Sequence, residues 1–285
     1  VGFPYQPVIL ASEVAHTSLQ KAAMILGLGT ESIVRVSVKE DSQLNVDDLE
    51  DQIKQCRLEG KYPFCVVATA GTTITGSIDN LIAINKIAKE QSLWFHVDAA
   101  YGGGLIFSEQ HKSLLNGIEF ADSVTFNPQK FLYIAKTCSM VLFRNKSLFQ
   151  ENFRIVAPYM EEIPNINLGE ISVQGTRHAD ILKFWLSLQH IGKCGYNELV
   201  DKTFQLTDYF MSHVKKRAYL SVTNVPQTNV ICCRAIPGWL SEENCDAWNM
   251  QLQMYLLEAG NTYFSLQTYR NQHWLRVVLL NPYIN

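Results

Sequence analysis

Six short apolar runs punctuate the first half of the chain: PVILAS (7–12), SIVRVSV (32–38), FCVVATA (64–70), LWFHVDAA (93–100), SVTFN (123–127) and SMVLFR (139–144). Their length, their β-branched and aromatic content and their polar flanks predict buried strands. Between the third and fourth, IDNLIAINKIAKEQ (78–91) sets Leu81, Ile82, Ile84, Ile87 and Ala88 at the spacing of one helical face. Strand, helix and strand at intervals of about 30 residues imply parallel pairing through right-handed crossovers. The first half is therefore expected to be α/β, with a mostly parallel sheet covered on both faces.

After residue 150 the pattern changes. APYMEEIPNINLGE (157–170), rich in Pro, Asn and Glu, predicts a long exposed loop. Helical periodicity follows in DILKFWLSLQHIG (180–192) and YNELVDKTFQLTDYFMSHVKK (196–216). The last stretch mixes strand-like NVICCRAI, TYFSLQTY and WLRVVLL with one helix, CDAWNMQLQMYLLEAG. That predicts a small α+β domain packed onto the first. The expected division is a large domain over 1–188 and a smaller C-terminal domain over 189–285. An opening one strand into a sheet, and an ending just past a turn, lead us to expect a chain truncated at both ends.

Composition narrows the classes. The chain has 285 residues, 24 basic and 27 acidic, and a formal net charge of -3. No basic stripe follows a phosphate backbone, so nucleic acid is not an expected partner. The apolar runs fall far short of the roughly 20 residues that span a bilayer, so no membrane partner is expected. Seven cysteines form no CxxC pair. They read as buried thiols in a reducing, cytoplasmic compartment, with no structural zinc.

One stretch raises a chemical question. DSVTFNPQKF (122–131) places Lys130 after a strand and an Asn-Pro turn, with apolar residues on both sides. Such a lysine can snorkel, packing its stem while its head reaches water. It can also be a desolvated amine, a nucleophile for carbonyl groups. In an open parallel sheet, ligands sit outside the carboxyl ends of the strands. Gly71, Thr72 and Thr73 fall there, as do Asp98 with Ala100 and Gly102–Gly104, Asn127 with Lys130, and His16. Singly, each has a plain explanation: Asp98 as a helix cap, His16 at a helix entry, the glycines as a tight backbone crossing. Together they suit pyridoxal phosphate, which needs a lysine for its aldehyde and a carboxylate to keep its pyridine nitrogen protonated.

ATAGTTITGSIDNL, LWFHVDAAYGGGL, LNGIEFADSVTFNPQK and GTRHADILKFWL resemble the group II pyridoxal-phosphate-dependent amino-acid decarboxylases, from about Pro7 to Pro282. That family includes glutamate, cysteine-sulfinate, aromatic-amino-acid, histidine and diaminobutyrate decarboxylases. The resemblance implies the fold-type-I transferase fold, a homodimer and α-decarboxylation of an L-amino acid to an amine and carbon dioxide. It implies that Lys130 holds the cofactor, Asp98 pairs with its ring nitrogen, and His16 and Ala100 flank the ring. Thr73 would lie near the ring and Asn127 near the phosphate. Tyr159, in the 157–170 loop, would protonate the intermediate.

The chain also departs from that family. Gln129 stands where histidine usually precedes the lysine, and glutamine cannot transfer a proton near neutral pH. The family's phosphate loop lies upstream of His16, and GLGTES (27–32) is a poor substitute. Arg177 could hold an acidic side chain, but an arginine tying a domain junction is the plainer expectation. Arg276 looks like a family position without an assigned role. Alternatives to decarboxylation are aldehyde synthesis, transamination or a non-catalytic remnant. The substrate is expected to be a small molecule, an amino acid, with a lean towards an acidic one.

Overall fold

In a computed structural model, which describes residues 5–155, 167–260 and 262–284, the apolar runs become strands of two sheets. The first region contains β1 (Gln6–Ser12), α1 (Ser18–Ile25), β2 (Ile33–Val36), α2 (Val46–Leu58), β3 (Lys61–Thr69), α3 (Leu81–Glu90), β4 (Trp94–Ala99), β5 (Ser123–Phe126) and β6 (Met140–Phe143). Among the described residues its sheet runs β2-β1-β3-β4-β5-β6, parallel throughout except at the antiparallel β5–β6 pair. All six expected strands form, with ends within three residues of expectation.

Helix α2 was not anticipated. Its buried positions, Leu49, Ile53 and Cys56, sit at 4- and 3-residue spacing within an acidic string. Asn45 starts it by accepting the Asp47 N–H at 3.2 Å, and Asp47 and Asp48 suit the positive end of the helix dipole. In α3 the core face is Leu81, Ile84, Ile87 and Ala88, whereas Ile82 of the expected stripe is 54% exposed.

The two faces of the first sheet differ. On one, Leu10, Val66, Ala68, Phe95, Val97 and Ala99 pack with α2 and α3 into the largest apolar cluster. On the other, Ala11, Cys65 and Val67 meet Leu19 of α1 and Trp94. Helix α1 is only about two turns long, and Trp94, His96 and Asp98 stay half-buried. Cover on both faces is thus corrected: among the described residues the first face is sealed along β1, β3 and β4, and the second is only partly covered.

The second region holds α4 (Ser147–Asn152), α5 (Ile181–Lys215), β7 (Leu220–Val222), β8 (Val230–Ala235), α6 (Cys245–Glu258), β9 (Ser265–Tyr269) and β10 (Gln272–Val278). Helix α5 breaks at Gly192 (φ 70°, ψ 174°), which only glycine adopts readily, so the two expected helical stretches abut there. It spans residue 188 and sends Phe184 and Tyr196 into one cluster and Val200 and Phe204 into the main core. An antiparallel sheet follows, ordered β7-β8-β10-β9 among the described residues. Its Cys232, Tyr269 and Trp274 pack on Val14, Val38 and Ile74, seating it against the first region. The seven cysteines are unpaired and six are buried. Burial pushes the Cys65 and Cys232 thiols up to about 12, which makes them poor nucleophiles. Among the described residues, no helix is long and apolar enough to cross a membrane.

Candidate active site

Parallel register brings three strand ends level. Thr69 of β3 pairs with Asp98 of β4, and Asp98 with Thr125 of β5. Two residues back, Val67, His96 and Ser123 form the next row on the same face. Because side chains alternate along a strand, His96 and Asp98 reach the less covered face, where both line a cleft of about 750 Å³. His96 is held by hydroxyls: Nδ1 lies 2.7 Å from Ser123 Oγ and Nε2 3.1 Å from Thr125 Oγ1. Burial pulls its imidazole below the usual range, with the Asp98 charge acting the other way. Asp98 Oδ1 accepts the Ala100 N–H at 3.1 Å.

The segment after β3 forms a braced turn. Gly71 and Thr72 N–H groups both donate to the Ser77 carbonyl, and the buried hydroxyls of Thr72, Thr75 and Ser77 form a triangle with edges of 2.9–3.1 Å. Asp79 closes it from below, accepting the Thr69 and Leu44 N–H groups, each at 2.7 Å. The triple glycine proves to be a backbone crossing. A Cβ on Gly102 would meet the Ala70 carbonyl oxygen at 2.5 Å, and one on Gly104 the Phe131 Cβ at 2.8 Å.

After β5 the chain turns through Asn127–Lys130, with the Lys130 N–H donating to the Asn127 carbonyl at 3.0 Å. Phe131 and Leu132 are buried immediately behind it. Gln129 Oε1 accepts the Cys138 N–H at 2.7 Å, so this side chain clips the turn to the segment entering β6. Lys130, Asp98, His16, Ala100, Thr73 and Asn127 all line the one cleft, with His16 and Thr73 exposed at its rim. Tyr159 lies outside the described residues. Arg177 does not line the cleft; it donates to the Leu168 and Gln174 carbonyls of its own loop, and GLGTES is likewise elsewhere.

The second sheet supplies a wall that sequence reasoning left unassigned: Val230, Arg276 and Leu280. Arg276, marked in the sequence without a role, is the one charged residue of β10. Its buried Nε has no hydrogen-bond partner among the described residues, and neither has the buried Oγ1 of Thr69. Burial disfavours the Arg276 charge, against the pull of Tyr101 and Cys232. Lys136 and Ser139 also line the cleft, and the sequence reading missed both.

Comparison with known proteins adds to this geometry. The family model of the pyridoxal-dependent decarboxylase conserved domain matches residues 2–236. Acidic amino acid decarboxylase GADL1 of Mus musculus is 32% identical over 293 residues, covering 98% of this chain and 53% of that protein. The crystal structure of mouse CSAD in apo form has a TM-score of 0.89 at 32% identity, over 98% of this chain and 61% of that one. Oryza sativa TDC with PLP and tryptamine gives a TM-score of 0.90 at 22% identity, over 95% of this chain and 58% of that one, a likeness of fold alone. The chain thus spans 53% to 61% of the length of these relatives.

Proposed function

The chain belongs to the pyridoxal-dependent decarboxylase family, and from that premise we propose that it releases the α-carboxylate of an acidic L-amino acid as carbon dioxide. The observation that carries this is the meeting of Lys130 and Asp98, at the ends of neighbouring strands, in one cleft. The cleft fits pyridoxal phosphate on its donor set. It offers an amine, a carboxylate, and two buried polar atoms, Thr69 Oγ1 and Arg276 Nε, without partners among the described residues. Its volume is in the range of small-molecule sites.

Bound there, the cofactor supplies a protonated pyridine ring as the electron sink for the pair left on the α-carbon. Lys130 Nζ would hold the aldehyde carbon until substrate takes its place. Asp98 would keep a proton on the ring nitrogen through Oδ2, since Oδ1 accepts the Ala100 N–H. His16 Nδ1 accepts the Ser18 N–H at 3.2 Å, so the neutral ring carries its proton on Nε2. His16 and Ala100 would flank the cofactor ring, Thr73 would lie beside it, and Asn127 would sit towards the phosphate. Tyr159 would return a proton to the α-carbon. Arg276 would grip a substrate carboxylate, for which its forked guanidinium is suited.

Charge supports an acidic substrate. With Lys130 given to the cofactor, Lys136 and Arg276 still line the cleft, and Asp98 is its single carboxylate among the described residues. The relative named above is an acidic amino acid decarboxylase. A second copy of the chain would cover Ile181, Leu182, Trp185 and Leu186, each more than half exposed at the start of α5. The unpaired thiols favour a cytoplasmic setting.

The test is to add pyridoxal phosphate to the whole protein and to Lys130→Ala, then follow the visible spectrum and carbon dioxide release. A yellow band and gas release from acidic amino acids, both lost in the variant, are expected. A wild type without either outcome would sink the proposal; release from aromatic amino acids only would remove the acidic assignment.

A further inference from the structure

Two tyrosines that the chemistry above does not use tie the lysine turn to the second sheet. Tyr133, three residues after Lys130, holds φ 58°, a left-handed conformation uncommon for a bulky side chain. Its hydroxyl donates to the Leu280 carbonyl, just beyond β10, at 2.7 Å. On the other side, the Tyr101 ring stacks on Phe131, the residue next to Lys130, with centroids 5.2 Å and planes 16° apart. The Tyr101 hydroxyl donates to Asn229 Oδ1 at 2.6 Å, and Asn229 Nδ2 donates to the Leu279 carbonyl at 3.0 Å. The Leu279 N–H returns to the Asn229 carbonyl at 2.9 Å.

The Tyr133 hydroxyl therefore acts directly on Leu280, and the Tyr101 hydroxyl acts through Asn229 on Leu279, its neighbour just past the strand that carries Arg276. Both remain donors near neutral pH: burial pushes the Tyr133 hydroxyl up to about 12 and raises that of Tyr101. A backbone in a sparsely populated region persists where its surroundings over-determine it, and such positions gather at functional sites. Tyr133 has such surroundings, since buried Leu132 and Ile134 flank it.

Resting on the assignment of Lys130 above, we propose that Tyr133 and Tyr101 are positioning residues that latch the Lys130 turn to the Arg276 strand. The latch keeps the amine that holds the cofactor and the guanidinium that holds a carboxylate at one spacing. It makes the second sheet a working part of the site. A tyrosine that only packed would be replaceable by phenylalanine without consequence.

The experiment compares Tyr133→Phe, Tyr133→Gly and Tyr101→Phe with the wild type in the whole protein. Amide hydrogen exchange without cofactor is read first. Residues 130–134 should exchange about threefold to tenfold faster in Tyr133→Phe, the size of one net hydrogen bond. Tyr133→Gly, free of backbone strain but lacking the hydroxyl, should match Tyr133→Phe. Should Tyr133→Phe fail to fold, Tyr101→Phe reads the same latch from its other hydroxyl.

Titration with pyridoxal phosphate is read second, with the dissociation constant rising by a similar factor. With an acidic amino acid, KM should rise while kcat falls. Unchanged exchange in Tyr133→Phe, or wild-type exchange in Tyr133→Gly, overturns the latch. A wild type that forms no yellow band overturns the cofactor assignment instead, and the exchange data still decide the latch.

Discussion

Strand β4 presents two chemistries within six residues. Phe95, Val97 and Ala99, at 1%, 0% and 0% exposure, enter the main core, while His96 and Asp98 between them face the cleft. The backbone geometry is the same on both sides; the cover differs. Two helices seal the first face, where an unpartnered polar group would lose its water without compensation. The second face is only partly roofed by α1, and there Ser123 and Thr125 supply hydroxyl partners to His96. One strand can thus hold a fold together with its odd positions and offer chemistry with its even ones.

The contrast is sharpened by substituting each side in turn. Phe95→Ala should cost about 3–5 kcal/mol of stability in denaturant unfolding, because it opens a cavity in a sealed core; a cost under about 1 kcal/mol would show that this face is not what holds the strand. Asp98→Asn should lower the decarboxylation rate about 10²–10³-fold, yet move stability by less than about 0.5 kcal/mol. Asparagine keeps the oxygen that accepts the Ala100 N–H, so destabilisation as large as that of Phe95→Ala would erase the distinction.

Asp79 lies beneath the site turn and tests the boundary between the two roles. It is fully buried, and burial raises its carboxyl from 3.8 to about 6 despite the Leu44 and Thr69 N–H groups. The folded state therefore binds this proton more tightly than the unfolded one. Its stabilisation is full below about pH 4 and is lost as pH rises through about 6, a change of about 3 kcal/mol. Wild-type stability measured relative to Asp79→Asn should fall by that amount across this window, and a flat difference would show that the group does not titrate there. The smallest effect is expected at Arg177→Ala, within about 0.5 kcal/mol in stability and with KM for an acidic amino acid unchanged. A tenfold rise in KM would bring Arg177 into the substrate site.

Strand positions were legible because each run is short, apolar and bounded by turn residues. Helix α2 was not, since VDDLEDQIKQCRL carries only three buried positions among its charges. Nor was β7, whose three residues are too few to show a period. The candidate chemistry was legible as a set of residue types at successive strand ends, and His16, Asp98, Asn127 and Lys130 do line one cleft. Thr69 was not picked out, and Arg276 was noted without a role. The level row of Thr69, Asp98 and Thr125 depends on parallel register, which no local pattern encodes. Arg276 reaches the cleft only because the second sheet is seated on Val14, Val38 and Ile74.

By itself the sequence determined the alternation along each strand, the residue types at each strand end and the resemblance to one family. A period of two is a local property, set by the pleat, so it can be read from neighbouring residues. Tertiary structure decided which of the two faces was the better sealed, which strand ends stood level, and that Tyr133 would meet Leu280 beyond β10 and Tyr101 would meet Asn229 before β8. Those outcomes depend on packing between segments far apart in the chain, where the winning arrangement is the one that buries the most apolar surface while leaving the fewest polar groups unpaired.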